Sequence, residues 1–228
     1  MRYEIHGTVM QTLDITLAPG ESMYTESGGM AWMKGNVEMK TDTKGGLMAG
    51  LGRKLAGESL FMTTYVNRGP EEALVVFTPE APGKIIPVKL GANQSIICQR
   101  DAFMCAENAV ELTMHFRKRL GTGLFGGEGF VLQKVTGPGF AFLEIPGEVR
   151  DYSLAPGETM KIDPGHIALF EPSVTYEITT VKGLTNVLFS GEGLFLATVT
   201  GPGRIWLQSL PLSNLAAKLA KYLPTKSS

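Results

Sequence analysis

Three glutamates, Glu58, Glu128 and Glu192, recur at one position of a repeating sequence, each directly after a glycine. Carboxylates repeated in this way can form a ring around an axis, able to hold a cation or a basic partner. Alternatively, each accepts backbone N–H bonds at a strand start or a module junction, as a buried carboxylate must. A second candidate is the glycine-rich insert 43–57, where Leu47, Met48, Leu51 and Leu55 stand among glycines beside Arg53 and Lys54. Its apolar side chains suit either a partner or membrane surface, or packing against the protein's own body. It is no phosphate loop, because the Gly-x4-Gly-Lys-(Ser/Thr) spacing is missing. These seven side chains are the candidate interaction residues.

Other chemistry finds little support. Gly121-Thr122-Gly123-Leu124-Phe125-Gly126 matches GxGxxG but leads into the strand-like Phe130-Val131-Leu132, where a dinucleotide site needs a helix. His6, His115 and His166 each occur in one copy only, and His166 with Glu171 lacks the second histidine of a His-x-His metal set. No Gly-x-Ser-x-Gly elbow is present. Arg117-Lys118-Arg119 is the one dense basic run; the other copies do not repeat it, and 21 basic against 22 acidic residues argue against a phosphate-binding surface. Cys98 and Cys105 form neither a zinc spacing nor a CxxC pair. Alignment of the copies sets Cys98 against Thr25 and Ile162, and Cys105 against Trp32 and Leu169, so buried, reduced and inert thiols are expected. No catalytic or metal set emerges and no cofactor is expected.

The elements that carry these residues repeat. Leu17-Ala18-Pro19-Gly20-Glu21 returns as Leu90-Gly91-Ala92-Asn93-Gln94 and as Leu154-Ala155-Pro156-Gly157-Glu158, a spacing of 73 and then 64 residues. Pro-Gly is the preferred centre of a type II turn, and Asn is the next residue most tolerant of positive φ. After each turn a short strand is expected, with Met23, Ile96 and Met160 pointing inward. Further strands are expected at Leu60–Val66, Phe130–Thr136 and Leu194–Thr200, and at Ala73–Phe77, Phe140–Ile145 and Ile205–Leu210. Gly-Pro pairs at 69–70, 137–138 and 201–202 separate them. The fold class is therefore all-β. Its organisation is a β module over 1–80 carrying the insert, a second over 81–147, a third over 148–212, and a C-terminal amphipathic helix and tail over 213–228. Ser213 is the expected N-cap, and Leu215, Leu219 and Leu223 form an apolar stripe expected to pack on the β body.

With the copies laid out, the chain resembles a widespread, largely uncharacterised family named for altered inheritance of mitochondria in its fungal members. The resemblance covers residues 1–212. It rests on the threefold pattern, the segment from Gly45 to Ser59, and the Gly-Glu-Gly and Thr-Gly-Pro-Gly stretches of copies two and three. It implies three shortened double-stranded β-helix domains, similar to the trp RNA-binding attenuation protein, in subunits that assemble as trimers. It brings no catalytic residues.

Small modules with unpaired outer strands should share sheets with one another and with sister chains. A cyclic homo-oligomer, a trimer in preference, is the expectation. The expected function is a non-enzymatic homo-oligomeric scaffold or interaction protein with a protein partner. The competing reading is a binding module for a small ligand, an ion or nucleic acid at module junctions, nucleic acid being disfavoured. Membrane-surface contact through the insert or through Lys218, Lys221 and Lys226 has weak support. Without a spanning run or an apolar leader, a cytoplasmic protein is expected.

Overall fold

Period-two alternation, Gly-Pro punctuation and β-branched residues at inward positions dictate short antiparallel strands. The computed structural model describes residues 1–26, 29–42, 62–118, 129–180, 195–220 and 222. The described residues are mostly β, with one short α-helix among them, near the C-terminus. The strands are β1 (Arg2–His6), β2 (Thr12–Leu17), β3 (Ser22–Glu26), β4 (Met30–Lys34), β5 (Val37–Asp42), β6 (Met62–Asn67) and β7 (Ala73–Phe77). Next come β8 (Gly83–Leu90), β9 (Ser95–Gln99), β10 (Phe103–Glu107), β11 (Glu111–Lys118), β12 (Phe130–Thr136) and β13 (Gly139–Pro146). The last are β14 (Val149–Leu154), β15 (Thr159–Ile162), β16 (Ile167–Phe170), β17 (Thr175–Thr180), β18 (Phe195–Thr200) and β19 (Gly203–Gln208), followed by α1 (Leu212–Ala220).

One pairing scheme recurs along the chain. In the first round β2 and β4 flank β7, while β3 and β5 flank β6. The second round repeats this with β8 and β10 around β13 and with β9 and β11 around β12. The third has β14 and β16 around β19 and β15 and β17 around β18. Even the irregularity repeats: a bulge interrupts the register at Met30/Trp32, Phe103/Cys105 and Ile167/Leu169. Such bulges re-aim side chains at fixed places in a sheet.

Successive rounds are spliced edge to edge, β3 to β10 and β9 to β16, which makes two six-stranded sheets. The first sheet (β1-β2-β7-β4) and the fourth (β15-β18-β17) remain narrow. Three apolar clusters lie between the four layers. Leu13, Ile15, Val75 and Phe77 of the first sheet meet Met23, Tyr65, Cys105 and Phe142 of the second. Tyr24, Phe103 and Leu143 of the second meet Ile96, Cys98, Val135 and Leu169 of the third. Ile97, Phe130 and Phe170 of the third meet Ile162, Ile178 and Val199 of the fourth. The two middle sheets therefore bury both faces, which is why residues 103–106 of β10 and all of β16 are apolar.

The anchor turns form as their residues dictate. Gly20, Asn93 and Gly157 all take positive φ (79°, 63° and 78°), and each turn closes with a backbone hydrogen bond, Glu21 to Ala18, Gln94 to Gly91 and Glu158 to Ala155. A side-chain bond returns as well. The carboxylates of Glu21 and Glu158 and the amide oxygen of Gln94 accept from the N–H groups of Ala18, Ala155 and Gly91 at 2.7–2.8 Å.

Several expectations need correction. Met23 and Ile96 are buried, but Met160 is only half-buried because β15 borders the narrow fourth sheet. Helix α1 begins at Leu212, one residue before the expected cap, with Pro211 accepting its first backbone bonds. Its apolar stripe is not sunk into the β body: no residue of α1 is buried and Leu219 stands exposed. Leu223 lies outside the described residues.

Candidate interaction site

Glu58, Glu128, Glu192, Leu47, Met48, Leu51 and Leu55 all lie outside the described residues, within segments 43–61, 119–128 and 181–194. These segments connect equivalent strands, β5 to β6, β11 to β12 and β17 to β18. The basic run is split by the same boundary, since Arg117 and Lys118 end β11 and Arg119 lies beyond it.

The histidines take separate places. The His6 ring nitrogen lies 3.5 Å from Glu4 and 3.8 Å from Asp14 on an exposed hairpin. His166 Nδ1 pairs with the Gln208 carbonyl at 2.7 Å, while Glu171 accepts the Arg204 N–H. His115 lies against Tyr176 with ring centroids 6.2 Å apart. Among the described residues, no three His, Cys, Asp or Glu side chains gather as a metal set. Cys98 and Cys105 are buried and unlinked. Burial foremost, with the negative charges of Glu26 and Glu144 respectively, pushes the Cys98 thiol to about 12 and the Cys105 thiol well up. Thiols held this way are poor nucleophiles.

What the fold does gather lies at the splices. Across β9 and β19, Gln208 Nε2 donates to Gln99 Oε1 at 3.0 Å and to the Gly165 carbonyl at 2.7 Å. The corresponding positions of the preceding splice hold carboxylates, Glu26 and Glu144. These line a cleft of about 190 Å³ together with Glu80, Arg100 and Asp101. Glu26 accepts from Gln133 Nε2 at 3.0 Å, and Glu144 accepts the Glu80 N–H at 2.7 Å. Burial, helped by the nearby charges of Glu80 and Asp101 and opposed by that N–H, raises the Glu144 carboxyl to about 7. A second cleft of about 260 Å³ lies between α1 and the other splice, lined by Gln99, Asp101, Pro146, Gln208, Leu212 and Ala216.

The second grouping is a pair of strand borders. In β10 and β16, Cys105, Ala106, Leu169 and Phe170 are at most 1% exposed because each strand lies under a splice. The equivalent strand of the first round is β4, which borders its sheet, and there Trp32 is 51% and Met33 41% exposed. The sequence marks position 32 as apolar, like Cys105 and Leu169, but its burial depends on a neighbouring strand that the described residues do not supply to β4. At the other end, β15 borders the fourth sheet with the side where β3 and β9 carry their splices. Such borders bear unsatisfied ladder groups able to add a strand.

Comparison with known proteins finds both a family and a solved structure of similar fold. The model of the mitochondrial biogenesis AIM24 family matches residues 3–210. An uncharacterised protein of Streptococcus pyogenes serotype M6 is 31% identical over all of this chain and 93% of its own length. The altered inheritance of mitochondria protein 24 of Verticillium alfalfae is 22% identical over 75% of this chain, which corresponds to 44% of that longer protein. The crystal structure of another Streptococcus pyogenes protein, a structural-genomics target, superposes with a TM-score of 0.78 at 26% identity, covering 97% of this chain and 99% of that one. With a family model spanning nearly its whole length and a relative of this similarity, the chain belongs to the mitochondrial biogenesis AIM24 family.

Proposed function

We propose that the protein is a non-enzymatic homo-oligomeric scaffold. Its three rounds of strands act as small double-stranded β-helix modules over 1–80, 81–147 and 148–212, and they assemble into a ring, a trimer in preference. One observation carries the reading: splices that bury apolar strands twice within the chain leave equivalent apolar side chains, Trp32 and Met33, open at its end. A protein organised this way presents repeated surfaces to a protein partner and needs no reacting centre. Light scattering of the purified chain at micromolar concentration tests it; a discrete oligomer is expected, and a monomer overturns it.

A further inference from the structure

We infer that β15 of one copy pairs antiparallel with β4 of the next, Ile162 opposite Trp32 and Lys161 opposite Met33, joining the fourth sheet of one subunit to the first sheet of its neighbour. This rests on the oligomeric reading above and adds its interface, its direction and its register.

Register is the strongest argument. In the first splice Ala106 faces Tyr24 and Glu107 faces Met23; in the second Leu169 faces Cys98 and Phe170 faces Ile97. The turn anchors make Tyr24, Ile97 and Lys161 equivalent, and the repeated bulge makes Met33, Ala106 and Phe170 equivalent. Ala106–Tyr24 and Phe170–Ile97 are therefore one pair seen twice, and the same rule applied a third time gives Met33–Lys161. Strand register is strongly specified wherever a face is buried, because a slip of one residue inverts every side chain.

Burial points the same way. The strands equivalent to β4 are sealed, yet β4 leaves a tryptophan and a methionine half in water. Trp32 lies across from Val76, on the opposite face of the first sheet from Val75 and the core. Its counterparts on that face are Cys105, paired with Phe142, and Leu169, paired with Trp206. Cys105 and Phe142 both sit in the cluster of the preceding round. The equivalent cluster for Trp32 is the one that contains Ile162, and it belongs to another copy.

Within one chain β15 cannot reach β4. β4 lies in the first layer and β15 in the fourth, and stacked sheets are spaced about 10 Å apart. The partner is a second copy. This border is also more polar than the internal ones at one position, where Lys161 replaces Tyr24 and Ile97, while Lys34 stands where the other rounds carry Glu107 and Glu171. The stem of Lys161 can cover Met33 while its ammonium stays in water. Association between copies is accordingly weaker than the splices within one.

The test uses two differently tagged full-length chains, Met33→Cys and Lys161→Cys, co-expressed and then oxidised. Opposed positions lie about 4.5–5.5 Å apart between Cα atoms, within disulfide reach. Both sites are exposed in the single chain, so both variants should fold. The expected result is a disulfide joining the two tags, found only in the co-expressed sample. Disulfides between like chains, or their absence from a protein that light scattering shows to be oligomeric, overturn this pairing and leave the scaffold reading intact. A monomeric parent chain removes both. Met33→Asp supplies an independent readout: a monomer with unchanged β-type circular dichroism is expected, and an intact oligomer contradicts the proposal.

Discussion

Glu144 shows how one side chain can set a pH response. Its carboxyl titrates near 7 in the folded chain, against an ordinary value near 4.5, chiefly because burial disfavours the charge. A raised carboxyl value means that the folded state holds its proton more tightly than the unfolded one. The group costs nothing below about pH 4.5, and stability falls as pH rises from there to about 7. A shift of this size corresponds to roughly 3–4 kcal/mol at most. Glu144→Gln keeps an acceptor for the Glu80 N–H and removes the charge, so urea midpoints at pH 8 should rise while those at pH 4 hardly move. An equal rise at both pH values would trace the effect to packing instead. Gln208 already occupies the equivalent place in the next splice as an amide. At this scale the sequence is informative about the cysteines, whose repeat partners Ile162, Trp32 and Leu169 are apolar and which are buried. It could not rank Glu144 above other glutamates, because its desolvation comes from residues distant in the chain.

The strands and turns were legible to the extent that their signals are local. The alternation of β12 and β18 and the Pro-Gly turns before β3 and β15 are readable within a few residues. Strands β8 and β14 were not expected at all. Pro87 breaks the pattern of β8, and it is tolerated because β8 is the outer strand of its sheet, where one side of the backbone has no ladder to join. Strands β10 and β16 were missed for the opposite reason: burial on both faces erases alternation. The bulge beside them further disguises the period. The side chains of Glu21, Gln94 and Glu158, which tie back each turn, repeat plainly, but nothing local in the sequence shows that they fold back onto the backbone. The turn itself offers a clean measurement. Gly157 has positive φ and open space around the position of an added Cβ, so Gly157→Ala introduces backbone strain without a clash. A loss of about 1–2 kcal/mol in thermal or urea unfolding is expected, and a smaller one for Gly157→Asn, since Asn93 already holds that conformation. Equal losses for the two variants would remove strain as the explanation.

Across the whole molecule, four layers and three cores mean that no round of strands is complete without the next. The candidate carboxylates and the insert remained beyond reach of this architecture, since 43–61, 119–128 and 181–194 fall outside the described residues. The borders that replaced them as the candidate site could not be found by composition, because Trp32 and Leu169 look alike until their neighbours are known. The chain has two tryptophans, so Trp206→Phe leaves Trp32 as a single reporter. Its emission should be blue-shifted in the assembled protein and should move to the red when Met33→Asp is added. An emission unaffected by that second change would show that Trp32 is not at the contact.

The splice joins unlike strands, the one after the turn to the one carrying the bulge, and this gives the stack a polarity. In the proposed ring, a subunit damaged at one border alone would still dock through the other and leave the ring open. Such a subunit mixed with intact chains should lower the yield of closed assemblies, where a chain damaged in a core would simply be lost from the mixture.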